Sequence, residues 1–267
     1  MTHDLPSPAL GFSPAVLADP GRRLTRNEDS AYGSVRLLAV ADGIGGQPHG
    51  EVASAVAIAA VRDADRRLPA DPGDDTTALS GLVSDIARRL AAAADEDERL
   101  RGMGTTLTAL LCTGTEIVLA HVGDSRGYLL RDGALRRITT DHTLVEELIR
   151  GGQLPAEQAG THPRRSVLLR ALQTGAAPDA DLSRVDARAG DRVLLCSDGI
   201  TCVLPDDVLR DVLAGHRAPH DAARRLVELA NDRGGPDNIA CTVADLRVAP
   251  APVTPLVAGA AVETPAG

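Results

Sequence analysis

Residues 102–135 read GMGTTLTALLCTGTEIVLAHVGDSRGYLLRDGAL, and they decide the fold class. Runs rich in Leu, Val and Ile at 105–111, 116–122 and 126–130 have the composition of strands. The gaps between them are a few residues long, whereas a parallel crossover needs a dozen or more, so the spacing predicts an antiparallel meander. Asp132-Gly133, between Leu130 and Leu135, is a hairpin-turn dipeptide that extends it.

Working outward, further strand-like runs lie at 35–41, 192–196 and 239–246. Helical spacing appears where Leu79, Leu82, Val83, Ile86 and Leu90 recur at three and four, leaving Asp85, Arg88 and Arg89 on other faces. The Ala-rich stretch 51–68 is its expected antiparallel partner, since Pro69, Pro72 and Gly73 interrupt the chain between them. Val208, Leu209, Val212 and Leu213 after Pro205 predict another helix, and 222–229 a fourth. Helices flanking antiparallel sheets give an α/β sandwich.

The 267 residues fit one large domain. Hydrophobic residues make up 43%, but Trp is absent and Phe occurs once, so the core must be aliphatic. The net charge of -9 and the lack of any Lys/Arg run argue against a nucleic-acid partner. Cys112, Cys196, Cys202 and Cys241 are widely spaced with no CxxC pair, which suits a reducing cytosol. MTHDLPSPAL lacks a basic stretch followed by an apolar one, and nothing approaches the roughly 20 apolar residues of a membrane span, so a cytoplasmic protein without membrane attachment is expected. The expected organisation is a lead over 1–17, a catalytic domain over 18–247 and a flexible Pro/Ala-rich tail over 248–267. Residues 151–165, with three Gly and two Pro, read as a mobile loop.

Function is carried by a repeated local design, an apolar strand ending in Asp beside a small residue. LLAVADG ends at Asp42, VLAHVGDS at Asp124 and VLLCSDG at Asp198, while GGPDN sets Asp237 before the last strand. A strand end gives a short carboxylate little positional freedom, and an adjacent Gly allows close approach. Each Asp-Gly or Asp-Ser alone is an ordinary turn dipeptide; the set of four, joined by Glu28 and Asp29 in RNED, is what points to a site. Carboxylates crowded together either protonate or bind a cation, and oxygen-only ligands select Mg2+ or Mn2+. The ligands are scattered over almost the whole chain, which excludes an EF-hand, and ADGIGG lacks the Lys-Ser/Thr of a P-loop. His121 beside a strand end reads as a structural hydrogen bonder, and the cysteines as core.

RNEDS (26–30), VADGIGGQPHGEVAS (40–54), GMGTTLTALL (102–111), HVGDSRGYLLRDGALRRITTDHTL (121–144), GDRVLLCSDGI (190–200) and GGPDNIACTV (234–243) occur in the order seen in the type 2C, metal-dependent serine/threonine phosphatases, and the chain resembles their bacterial members over about 18–247. The resemblance implies an α+β fold: a four-layer α-β-β-α sandwich of two antiparallel sheets flanked by helix pairs. It implies two tightly held Mg2+ or Mn2+ ions, with Asp42 bridging both, the Gly43 carbonyl on one, and Asp198 and Asp237 on the other. Asp124 would share a third, weaker ion with Asp198, Glu28 would act through a water with Asp29 beside it, and 151–165 would be a flap. A water activated between the cations and held by Asp42 would attack phosphoserine or phosphothreonine in proteins, opposing a serine/threonine kinase.

Two positions depart from the family pattern. Ile44 stands where many eukaryotic members have a histidine, and Leu24 where a phosphate-binding arginine is usual. If 22–28 were extended, Arg22, Leu24, Arg26 and Glu28 would share one face, making Arg26 the substitute phosphate ligand ahead of Arg23. The alternative readings are a catalytically weak phosphopeptide-binding regulator on the same fold and a metal-dependent phosphodiesterase.

Overall fold

The computed structural model describes residues 9–44, 49–68, 75–175 and 179–263. Two antiparallel sheets lie face to face. One has five strands in the order β1 (Leu10–Asp19), β12 (Ile239–Val248), β11 (Arg192–Cys196), β7 (Arg126–Arg131) and β8 (Ala134–Arg137). The other has six, β10 (Asp181–Val185), β6 (Ile117–Val122), β5 (Leu107–Cys112), β3 (Leu37–Asp42), β2 (Asp29–Gly33) and β13 (Leu256–Gly259). A short ribbon pairs β4 (Gly104–Thr105) with β9 (Leu172–Gln173). Helices α1 (Gly50–Arg67) and α2 (Asp75–Glu96) cover the six-stranded sheet. Helices α5 (Asp206–Gly215) and α6 (Pro219–Asp232) cover the other, while α3 (Leu144–Arg150), α4 (Asp198–Thr201) and α7 (Ala260–Glu263) are short. This is the expected four-layer sandwich.

Strand periodicity builds the layers. In β3, Leu37, Ala39 and Ala41 face α1 and α2, while Leu38 and Val40 enter the core between the sheets. In β11, Leu194 and Cys196 face α5 and α6, while Val193 and Leu195 meet the opposite sheet. Both faces of the central strands are buried, so they read as continuous apolar runs. The helix-facing positions of β3 and α1 are rich in Ala, which allows close helix–sheet packing beside the buried ring of Tyr32.

Several expectations are corrected. The runs at 105–111, 116–122 and 126–130 do not form one meander: β5 and β6 pair in one sheet, while β7 pairs with β8 and β11 in the other. Gly123, at φ 108, turns the chain across, so this turn carries Asp124 from sheet to sheet. The Asp132-Gly133 hairpin forms, both residues having positive φ. The stretch 22–28 is not extended but a turn and a bend, which removes the face shared by Leu24, Arg26 and Glu28. Most of the expected lead 1–17 for which placement is described belongs to β1, an edge strand paired with β12 throughout, where Pro14 is tolerated and masks the strand signal. Gly45, Gly46, Pro69, Pro72 and Gly73 lie outside the described residues.

The expected flexible tail 248–267 also contains ordered structure. Within it, β13 adds to β2 with Leu256 opposite Gly33 and Gly259 opposite Ser30. Val257 and Ala261 join the core under α1, and the Ala261 amide donates to Ser30 Oγ at 3.0 Å. Gly259 has φ +82, and a Cβ there would sit 2.0 Å from the Asp29 carbonyl oxygen, so no larger residue fits. Four residues after a Pro-rich stretch carry too little periodicity to announce a strand. We expect Gly259→Val to destabilise the protein by about 2 kcal/mol, roughly 4–8 °C in Tm, measured by thermal unfolding; an unchanged Tm would mean that β13 contributes nothing to the fold.

Candidate active site

The carboxylates arrive from four directions. Asp42 ends β3 and is the cross-strand neighbour of Asp29 in β2. Asp124 lies in the turn between β6 and β7, Asp198 opens α4 behind Ser197, and Asp237 precedes β12. Together with Glu28, the four residues Asp42, Asp124, Asp198 and Asp237 line one cavity of about 320 Å³, with Gly43, Thr106 and Asn238. Asp29 lies behind it, fully buried.

A layer of neutral hydrogen bonds holds these groups in place. Asp29 accepts from Ser197 Oγ at 2.6 Å, and its amide donates to Asn27 Oδ1 at 3.0 Å. The Asp42 amide donates to Thr106 Oγ1, its carbonyl accepts from the Thr106 amide, and Thr106 Oγ1 meets Ser125 Oγ at 2.7 Å. Asn238 fastens the stretch 20–28 at three points: its Oδ1 accepts from the Glu28 amide at 2.8 Å, and its Nδ2 donates to the carbonyls of Pro20 and Arg26. Each such bond contributes about 1 kcal/mol. Glycine is required at position 43, where β3 meets α1: a Cβ there would fall 2.3 Å from the Gly50 carbonyl oxygen, while one on Gly50 would displace the Glu28 carboxylate end. Gly43 carries this signal in ADG; the roles of Thr106, Ser197 and Gly50 are not legible locally, because their partners lie on distant segments.

Burial and mutual repulsion dominate the electrostatics. Burial first, then Asp29, Asp198, Asp124 and Asp237, raises the Asp42 carboxyl well above the ordinary range. Asp198 is raised likewise by burial, Asp124, Asp237 and Asp29, against an opposing contribution from Arg126. Burial lifts Asp29 to about 7 despite its hydrogen bonds to Ser197 and Asp42, and lifts Asp124 to about 6 with help from Asp141. Glu28 is raised by burial, Glu51 and Asp237. Arg126, the cation that opposes the shift of Asp198, is committed to Asp141, with Nη2 donating to Oδ2 at 2.7 Å. Among the described residues no three His, Cys, Asp or Glu side chains form a group that could hold an ion as they stand. The donors lining the cavity are nevertheless all oxygen, with neither His nor Cys among them, a set that fits Mg2+ or Mn2+.

The remaining expectations divide. Arg26 is exposed and lies 3.7 Å from Glu51, and neither it nor Arg23 lines the cavity, whereas Leu24 does. Ile44 also lines it. The 151–165 segment forms a short 3-10 turn at Ala156–Thr161 and reaches the site, since Ala159, Gly160 and Arg165 line a smaller adjoining cavity with Asp124 and Asp198. His121 is a structural hydrogen bonder: Nε2 donates to the Thr140 carbonyl, Nδ1 meets Thr108 Oγ1, and burial lowers its pKa to about 4. Cys112, Cys196 and Cys241 are core residues, and burial raises all four thiols, Cys202 to about 12, so none is a thiolate nucleophile.

Comparison with known proteins agrees with this architecture. The family model described as protein phosphatase 2C matches residues 25–243, and the chain belongs to this family. It is 45% identical over 232 residues to the serine/threonine protein phosphatase PstP of Mycobacterium tuberculosis, covering 87% of this chain and 44% of that protein. The chain thus spans less than half the length of that relative. It is 37% identical over 228 residues to the serine/threonine phosphatase stp of Listeria welshimeri, covering 83% of this chain and 90% of the relative. The crystal structure of the PstP catalytic domain in complex with two manganese ions superposes with a TM-score of 0.81 at 43% identity, over 89% of this chain and 99% of that one.

The raised carboxyls give a pH dependence of definite sign. A carboxyl whose folded pKa lies above its unfolded value stabilises the fold when protonated, and that contribution is lost as pH rises through the folded pKa. His121 and His142, whose pKa values are lowered from 6.5, act oppositely only below that value. The chelated protein is therefore expected to lose Tm between about pH 6.5 and 8, as Asp29, with Asp42 and Asp198, ionises, and Mn2+ should abolish the fall. A flat Tm across that window in chelator would contradict the repulsion described.

Proposed function

We propose that the protein hydrolyses phosphoserine and phosphothreonine in proteins with Mg2+ or Mn2+, opposing a serine/threonine kinase in the cytoplasm. The observation that carries this reading is the convergence of Glu28, Asp42, Asp124, Asp198 and Asp237 on one cavity whose polar donors are oxygen alone. Family membership and the two manganese ions of the PstP catalytic domain support it. Among the described residues no helix is long and apolar enough to cross a membrane.

In this reading Asp42, the Gly43 carbonyl, Asp198 and Asp237 hold two cations, and Asp124 with Asp198 holds a third more weakly. Cations bound there would lower the pKa of water enough to give a nucleophile near neutral pH and would offset charge on the phosphoryl group. Asp29 would act from behind, hydrogen-bonded to Asp42 and fixed by Ser197 so that it orients the Asp42 carboxylate, while Glu28, on the cavity wall, would order water at the cleft. Among the described residues no histidine lines the cavity, and Ile44 offers no proton, so the proton for the departing serine or threonine oxygen would come from water or another residue. The thiols stay protonated, which leaves direct attack by water as the route.

Hydrolysis of a phosphothreonine peptide should require Mg2+ or Mn2+ and vanish in EDTA, and Asp42→Asn or Asp198→Asn should cut kcat by about 100-fold or more with the fold retained. Full activity in EDTA would overturn the proposal, and binding of the peptide without turnover would favour the phosphopeptide-binding regulator. Asp124→Ala should impair turnover yet leave two tight Mn2+ sites by calorimetry; loss of a tight site would move Asp124 into the central pair.

A further inference from the structure

The cavity has a second chemistry that the cations do not use. Beside its carboxylates stand three aliphatic side chains, Leu24, Ile44 and Leu168, and among the described residues neither Lys nor Arg lines it. Isolated surface leucines are ordinary. These three differ because they come from separate parts of the chain, meet at one cavity, and are each fixed by the backbone. The turn bearing Leu24 is tied down by the Arg22 amide donating to the Gly235 carbonyl at 2.9 Å and by Asn238 Nδ2 donating to the carbonyls on either side, Pro20 and Arg26. The Ile44 amide donates to the Gly104 carbonyl at 3.0 Å. Leu168 is bridged to Thr143, and its neighbours are held by Leu144 N to Val167 O and Leu169 N to His142 O. Yet Leu24 remains 44% exposed, an apolar side chain held at the cleft with its surface unburied.

We infer that Leu24, Ile44 and Leu168 form a specificity wall that takes an aliphatic side chain next to the phosphorylated residue of the substrate. The inference rests on the phosphatase reading and deepens it by naming the substrate class: phosphoproteins in which Leu, Ile, Val or Met flanks the phosphoserine or phosphothreonine. Continuity with the cleft fixes the occupant, because a phosphoryl group at the carboxylate-held cations brings the neighbouring residue against this wall. Charge sharpens the choice. An acidic neighbour finds no Arg or Lys among the residues lining this cavity, while an aliphatic one buries its own surface and that of Leu24.

The test compares three phosphothreonine peptides that differ only in the residue flanking the phosphothreonine, Leu, Ser or Asp, with the full chain in Mn2+. The expected kcat/KM is about tenfold higher for Leu than for Ser, the discrimination that a modest hydrophobic contact gives, and lowest for Asp. Leu24→Ser and Leu168→Ser, at exposed or partly exposed positions, should bring the Leu:Ser ratio towards one, and Leu24→Arg should make the Asp peptide better than the Ser peptide. Equal kcat/KM for Leu and Ser peptides in the unaltered chain, or an unaltered ratio in the Leu24 and Leu168 variants, would overturn the wall while leaving the phosphatase standing. If no peptide is turned over, the phosphatase reading fails. The wall is then judged by peptide binding in fluorescence anisotropy, where equal affinity for the Leu and Ser peptides overturns it and about tenfold tighter binding of the Leu peptide upholds it.

Discussion

Five carboxylates cannot share one cavity without a rigid frame to oppose their repulsion, and much of this structure serves as that frame. Unpaired carboxylates would move apart or protonate, and burial, joined by mutual repulsion, raises the pKa values of Asp42, Asp198, Asp124 and Asp29. What prevents separation is attachment. Asp42 and Asp29 sit in register at the ends of paired central strands, Asp198 opens a helix that directly follows a buried strand, and Asp237 is bonded to the amide of Asn238. The two sheets meet at this end of the sandwich, so each carboxylate inherits the rigidity of a core strand.

The aliphatic core follows from the same requirement. With Ala39, Ala41, Ala53 and Ala57 where β3 and α1 meet, the helix lies close to the strand, and the Gly43–Gly50 contact lets the two backbones pass at the cleft. Larger side chains there would push α1 outwards and take Glu51 and the Glu28 contact with it. Packing and site geometry are therefore one problem, solved by small residues on one sheet face and branched residues on the other.

The sequence made the acidic set legible because Asp42, Asp124, Asp198 and Asp237 each end or precede an apolar run, a local pattern with a local cause. Central strands and amphipathic helices were legible too, since β11 is a continuous apolar run and α2 repeats its apolar residues at three and four. Partner choice was not. Nothing local in 116–130 says that Gly123 sends β7 to the opposite sheet, because strand pairing is decided by the whole core. Edge strands were also hidden: β1 contains Pro14, β10 is mostly exposed, and β13 has four residues. The extended reading of 22–28 failed because Asn238, 210 positions from Glu28, bends that segment through its side-chain amide. Such a contact has no signature in the segment it shapes.

The central claim is that the carboxylate ring exists to hold divalent cations. Anomalous diffraction from crystals grown in Mn2+ tests it most directly. The account predicts two strong manganese peaks in the cleft, ligated by Asp42, Asp198, Asp237 and the Gly43 carbonyl. Peaks elsewhere on the surface with an empty cleft at saturating Mn2+ would contradict it.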